Sequence, residues 1–242
     1  MGNIVLPADG ITIRQGIYEQ SSTQKTELGR FIDFEDGRRF RYCKADGAIT
    51  KGHMCQSPPI DSDHAEVVQT GYGITAGDKD NISVLLSAAP TANQYADGFL
   101  ICNKGTGLGQ IYKIKKNTAA YDPCKIWLYD EVKTTIAATA EITLMKNKYL
   151  DVVVAPTTVS GAPVGVPLIT VTDDYYFWAQ SKGYAPLVVD DSATLVVGDR
   201  VIFGGTDAGA GDPAADDTSV SYGTVIYVAA ADEYAIVDLH LE

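Results

Sequence analysis

Residues 31–43 read Phe31-Ile-Asp-Phe-Glu-Asp-Gly-Arg-Arg-Phe-Arg-Tyr-Cys43, and their spacing fixes a β-hairpin down to the length of its loop. With a three-residue loop of Glu35-Asp36-Gly37, Ile32 and Phe34 share a face with Phe40 and Tyr42, and Asp33, Arg39 and Arg41 fall on the other. A two-residue Asp-Gly loop would instead put Arg39 and Arg41 beside Ile32 and Phe34. The pattern therefore predicts the longer loop, a type I turn closed by a glycine bulge, with Gly37 supplying the left-handed residue. The chain is read as β from its first ordered element.

Composition bounds the rest. The 242 residues are 45% hydrophobic, enough for one large or two smaller domains that fold without staples. Nineteen Lys plus Arg stand against 31 Asp plus Glu, a net charge of −12, which argues against a nucleic-acid binder that relies on a basic surface. Four cysteines (Cys43, Cys55, Cys102, Cys124) are too few and too scattered for a disulfide scaffold, so a reducing compartment is the expectation. The opening Met-Gly-Asn-Ile-Val-Leu-Pro-Ala-Asp-Gly has neither the charged nor the apolar region of a secretion signal. Apolar runs such as Val152–Ala155 are strand-sized, so no membrane span is expected and the chain is read as soluble or as part of a soluble assembly.

Residues 1–27 are mostly polar, with a Gln20-Ser-Ser-Thr-Gln24 tract, and are read as an extended arm that orders only against something else. From Val67 onward short β-type runs recur, bounded by Gly, Pro, Asp or Asn: Ile82–Leu86, Phe99–Asn103, Gln110–Lys115, Lys125–Leu128, Ile142–Met145 and Leu150–Val154. A second series is Leu168–Val171, Tyr175–Gln180, Leu187–Val189, Val201–Phe203, Val220–Tyr227 and Tyr234–Leu239. This is the spacing of a sandwich or barrel. The expectation is an all-β chain of two small sandwich or barrel-like domains, 28–155 and 156–242, behind the arm 1–27. Ala88–Ala96 and Ala137–Glu141 are read as short helices. Phe99–Gly105 and Phe177–Gly183 echo each other as strand-plus-turn chemistry, on which no function rests.

Catalytic and ligand chemistry finds little support. There is no Gly-x-Ser-x-Gly elbow, and the three histidines are His53, His64 and His240. Cys43, His53, Cys55 and His64 are zinc-type ligands, but separations of 10, 2 and 9 fit no zinc signature, so no metal site is assigned. The acidic pairs Asp61/Asp63, Asp173-Asp174, Asp190-Asp191 and Asp216-Asp217 sit at breaks between strands and read as turn residues rather than as a glycosidase pair. Neither Gly-rich segment, 104–109 or 204–211, leads into a helix, which disfavours phosphate binding, and no cofactor is expected. In Tyr175-Tyr-Phe-Trp178 alternation sends Tyr176 and Trp178 to one face and Tyr175 and Phe177 to the other, read as two-sided burial. Arg30, Arg38, Arg39, Arg41 and Lys44 gather positive charge in an acidic chain. They are the candidate contacts to an acidic protein surface, with a solvated face paired to Asp33 as the alternative.

Leu28-Gly-Arg30 leading into Glu35–Tyr42 and Ala48–Gly52, then Gly98–Ile101 with Gly105–Ile114, Tyr176–Gln180 with Lys182-Gly183, and Glu233–Leu239, resembles the capsid decoration (cement) proteins of tailed bacteriophages. The likeness runs over most of the chain and is carried by turn and strand patterns, with no catalytic residues to transfer. It implies a non-enzymatic virion protein, made in the host bacterial cytoplasm and bound to the outside of the assembled major capsid protein shell, as a homotrimer. The partners implied are the capsid protein and further copies of the chain, with no nucleic acid or membrane. A head-surface or tail module that binds host carbohydrate, and a polysaccharide-degrading enzyme, are the rival readings.

Overall fold

A computed structural model describes residues 15–203, 205–215, 221–230 and 233–242, together with the backbone of 4–5 and 12–13. The described residues form an all-β structure of eighteen strands, one 3-10 turn at Ser62–His64 and no α-helix. In chain order the strands are β1 (Ile4–Val5), β2 (Thr12–Ile13), β3 (Phe31–Asp33), β4 (Arg39–Lys44), β5 (Cys55–Gln56), β6 (Val67–Val68), β7 (Ile82–Val84), β8 (Phe99–Lys104) and β9 (Ile111–Asn117). They continue with β10 (Cys124–Leu128), β11 (Glu141–Met145), β12 (Val153–Val154), β13 (Pro163–Pro167), β14 (Tyr176–Val188), β15 (Arg200–Phe203), β16 (Gly211–Pro213), β17 (Gly223–Tyr227) and β18 (Tyr234–His240).

Two compact units result, and the division differs from a cut near residue 156. One unit is composite, residues 1–58 with 148–242, and the other is the segment between, Pro59–Asn147. Residues 148–155 return to the first strands: β12 pairs β5 through Val153 and Gln56, and Ala45 bridges Val152. These contacts are two-residue strands and single bridges, too short to leave a hydrophobic period, so the sequence could not reveal them.

In the composite unit the hairpin forms in the expected register, with Ile32 opposite Phe40, Phe31 opposite Arg41 and Asp33 opposite Arg39. Phe34 N–H donates to Arg38 O at 2.9 Å, and Gly37 takes φ 87°. Strand β4 then pairs the first half of β14, while β18 pairs its second half from Lys182 to Val188. Phe177 and Ala179 pack with Cys43, Ile49, Val152 and Val171 on one side of β14, and Trp178 with Ile32, Phe40 and Tyr42 on the other. The run β14-β18-β17-β15-β16 is joined end to end by a parallel bridge from Val189 to Gly211. It curls around Ala185, Leu187, Val201, Phe203, Val225, Val237 and Leu239.

Residues 15–27 are not an arm awaiting a partner. Gln15 and Ile17 are buried. The Gln15 amide donates to Tyr176 O at 2.9 Å and accepts from the Tyr42 hydroxyl at 2.9 Å, and Gln15 O accepts from Trp178 Nε1 at 3.1 Å. One glutamine thus ties this polar stretch to three aromatic residues of its own unit. The part of the expected arm before Gln15 lies outside the described residues, apart from the β1–β2 backbone pair.

The segment 59–147 forms an antiparallel sheet in the order β6-β11-β8-β9-β10-β7, wrapped around Ile82, Val84, Leu100, Tyr95, Ile114, Ile126, Leu128, Ile142 and Leu144. Its two edge strands are joined by a side chain: Gln69, fully buried, accepts from Leu85 N at 2.9 Å and donates to Leu85 O at 3.0 Å. The expected helices are turns. Within 88–96, Asn93 has φ 63°, Asn117 Nδ2 donates to Thr91 O and Asn117 Oδ1 accepts from Tyr95 N. Those bonds capture the backbone groups that a helix would have used. Residues 137–140 form a turn that hands Ala140 O to Gln69 N before β11 begins.

Two glycines separate strain from steric exclusion. A Cβ on Gly37 would meet nothing within 4 Å, whereas one on Gly98 would lie 2.1 Å from Met145 O. Gly37→Ala is expected to cost about 1 kcal/mol, the left-handed penalty alone. Gly98→Ala is expected to cost about 3 kcal/mol or more, because β8 must separate from β11. Denaturant unfolding of the two variants checks the order.

Candidate functional site

The cations singled out in the sequence lie on or beside the hairpin, and the structure pairs four of them internally. Arg39 grips Asp33 with two hydrogen bonds of 2.7 and 2.9 Å and reaches Glu242 at 3.2 Å. Arg41 donates to both oxygens of Glu242, through Nε at 2.6 Å and through Nη2, and to Gly29 O at 2.8 Å. Both guanidinium groups lie over the Phe31 ring, at 4.6 and 5.0 Å from its centroid. Arg38 holds Asp36 at 2.8 Å and lies over Phe34 and Phe40, and Lys44 reaches Asp174 at 2.6 Å. Arg30 contributes backbone bonds to Glu27 and Tyr42. The outward face of the hairpin is therefore a brace from β4 to residue 242, with its charge largely neutralised from within. Asp33 was foreseeable as the residue opposite Arg39. Glu242 was not, since 201 residues separate it from Arg41.

Burial alone would raise the Glu242 carboxyl, but the hydrogen bonds and charge of Arg41, with help from Arg39, bring it down to about 2.

Beside the hairpin tip runs an open groove of about 610 Å³ lined by Asp36, Gly37, Arg38, Lys182, Gly183, Tyr184, Asp238 and His240. Gly183 makes this close approach workable, since it has φ 79° and a Cβ there would sit 3.2 Å from Arg38 Cα. Tyr184 is 60% exposed, and His240 Nε2 stands 3.9 Å from Asp238 Oδ2. The groove offers an aromatic ring with donors and acceptors of both charges.

Of the acidic pairs, Asp190-Asp191 is joined by Asp207, with one carboxylate oxygen of each within 4.8 Å of the others. Asp190 is buried and accepts from Asp207 N, Ser192 N, Ser192 Oγ and Thr206 Oγ1 at 2.6–3.0 Å. Burial pushes its carboxyl up, yet these donors outweigh that and hold it far below the usual range. Its donors all come from the chain, so the cluster fastens the loops that follow β14 and β15. Asp173 and Asp174 serve as turn acceptors for Gly47 N and Lys44, and Asp216-Asp217 lies outside the described residues.

His64 is buried. Its Nδ1 bonds the Tyr95 hydroxyl, its Nε2 lies 3.0 Å from Ala88 O, and Asp61 stands 3.1 Å away. An Asp-His-Tyr set of this kind can prime a nucleophile, but Tyr95 is fully buried and desolvation raises its hydroxyl pKa strongly, so the set pins the Ser62–His64 turn. The four cysteines are buried thiols, with Cys43 and Cys55 pushed well above the ordinary value by desolvation. They and His53 show no shared ligand geometry among the described residues.

No helix among the described residues is long and apolar enough to cross a membrane. The chain matches no protein-family model, no curated protein and no solved structure.

A carboxyl whose folded pKa is depressed contributes stability above its unfolded value and loses it as pH falls through the folded one. Wild type should therefore lose melting temperature as pH drops from about 4.5 toward 2. Glu242→Gln should be less stable at pH 7 and should lose less over that window. Parallel slopes for the two proteins would show that the Arg41 pair contributes nothing.

Proposed function

We propose that this chain is a structural protein of a tailed-phage head, a decoration protein that binds the assembled capsid shell and associates with its own copies. The sequence resemblance points to the shell. The observation that carries the assembly role is a sheet face turned to solvent with the composition of a contact surface. Pro186 of β14, Ile236 of β18 and Tyr227 of β17 are cross-strand neighbours, flanked by Tyr184 and Tyr234. Tyr184 and Tyr227 are each 60% exposed, and Ile236 40%. A contiguous aromatic and aliphatic patch of this kind is characteristic of surfaces that neighbours cover. Binding only the assembled shell stabilises that shell by mass action, and symmetric copies multiply the effect.

The purified chain should co-sediment with expanded shells of the phage that encodes it, stripped of the chain, and raise the temperature at which they break up. Failure to co-sediment would remove the reading. Sedimentation velocity should find an oligomer of the free chain that Ile236→Glu dissociates, with little loss of melting temperature because the side chain already meets solvent.

A second reading, binding of host carbohydrate, is favoured by the groove. Tyr184 offers a ring for stacking, and Arg38, Lys182 and Asp238 offer hydrogen bonds to hydroxyl or carboxylate groups. Titration with host-surface polysaccharide should then give binding that Tyr184→Ala weakens, and no binding to wild type would eliminate this reading.

A further inference from the structure

The segment 59–147 carries eight lysines, no arginine and ten acidic residues, and half of its lysines stand on one face. Strand β9 has the burial pattern exposed-buried-exposed-buried-exposed-exposed-buried, so Tyr112, Ile114 and Asn117 point into the core while Ile111, Lys113, Lys115 and Lys116 point out. The two consecutive outward lysines arise from a register shift against β10, where Trp127 faces Lys116 and Leu128 faces Ile114, leaving Lys115 as the extra residue. On β10, Lys125 and Trp127 alternate outward between the buried Cys124, Ile126 and Leu128. On the other side of β9, Phe99 lies opposite Lys113 and Ile101 opposite Ile111. The result is a lysine row along β9 and β10 bordered by apolar residues, with Phe99 37% and Ile111 56% exposed.

These cations are less neutralised than those of the hairpin. Lys113 pairs with Asp97 at 3.1 Å and Lys125 donates to Ser83 Oγ at 2.5 Å. Among the described residues, Lys115 and Lys116 have no carboxylate within ion-pair distance. In a chain of net charge −12, Lys115 and Lys116, adjacent on one sheet face, repel each other until a partner supplies the anions.

We propose that the outward face of β8, β9 and β10 is a docking surface for a carboxylate-rich protein partner. Three observations select protein over nucleic acid. The segment has no arginine for bidentate contact with phosphate. Of the three rings on or beside the face, two are capped, since Lys116 Nζ lies 4.2 Å from the Trp127 centroid and Lys113 Nζ 4.9 Å from that of Tyr129, which leaves Phe99 alone for base stacking where a single-stranded nucleic acid needs successive platforms. The aliphatic border formed by Ile111 and Ile101 matches apolar side chains of a protein surface and has no counterpart in a phosphate backbone. The surface deepens the reading given above and rests on it for the partner's identity as the capsid shell.

The test uses the full chain, with poly-L-glutamate as the probe and Lys115→Glu with Lys116→Glu as the variant. Lys25→Glu with Lys51→Glu, exposed positions elsewhere, is the control of equal charge change. Wild type should bind the polymer with an affinity that falls as salt rises. The variant should melt like wild type and lose about tenfold or more in affinity, and the control should keep it. Equal loss in variant and control, or no binding by wild type, would overturn the surface. Tighter binding to a single-stranded DNA oligonucleotide of matched charge would overturn the choice of a protein partner. Loss of polymer binding in the variant, with no binding of wild type to stripped shells, would leave the surface standing and remove the capsid reading.

Discussion

Strand β14 is the constraint on which the composite unit depends. Its 13 residues are too long for one sheet partner: Tyr176–Lys182 pair with β4, Val166 and Pro167 of β13 meet Gln180 and Ala179, and Lys182–Val188 pair with β18. Because successive side chains of a strand point to opposite faces, its first half must be buried on both sides, which Phe177 and Trp178 accomplish with separate sets of neighbours. The second half lines the barrel with Ala185 and Leu187 and turns Tyr184 and Pro186 outward. The hairpin, the barrel, the groove and the exposed apolar face thus take their positions from one strand.

Where the sheets stop, carboxamide side chains supply what a further strand would have supplied. Gln69 exchanges two hydrogen bonds with Leu85 as a paired residue does, and Asn117 satisfies Thr91 and Tyr95. Gln56 does the same for Ser160 and Gly161. A buried amide left unpaired would cost roughly 1–3 kcal/mol, a cost these three side chains avoid. They let short strands close curved sheets without long ladders.

This explains which parts of the fold could be read in advance. Alternation located the hairpin, β8 to β11, β15, β17 and β18 within a few residues, because each buries one face against a core. It split β14 into two runs, since Lys182, Gly183 and Pro186 interrupt the apolar pattern on a strand that changes partners there. It placed a strand at 168–171, where only Val171 bridges Ile49, and missed Pro163–Pro167, whose prolines disguise it. Gly165 accounts for that choice, since a Cβ there would sit 2.5 Å from Gln180 O. The glutamine contacts were invisible, because a lone Gln in a polar stretch has no period and its partners lie as far away as Tyr176.

The same limit governs the charged residues. Sequence proximity gathered Arg30, Arg38, Arg39, Arg41 and Lys44 into one patch, but proximity says nothing of counter-charges that arrive from distant strands. Asp33, Asp36, Asp174 and Glu242 absorb four of those cations, and the Phe31 ring covers two guanidinium faces. An ion pair already made at short range has little left to offer a partner, whose carboxylates would have to displace those in place. Lys115 and Lys116 attract no attention in the sequence, because Lys-Ile-Lys-Lys within an acidic chain reads as an ordinary solvated strand. Their significance comes from a bulge that turns both to one side, and from β8 and β10, which bring apolar residues and a capped Trp127 to their flanks. Free charge, rather than charge density along the chain, is what the lysine row keeps and the arginine hairpin has spent internally.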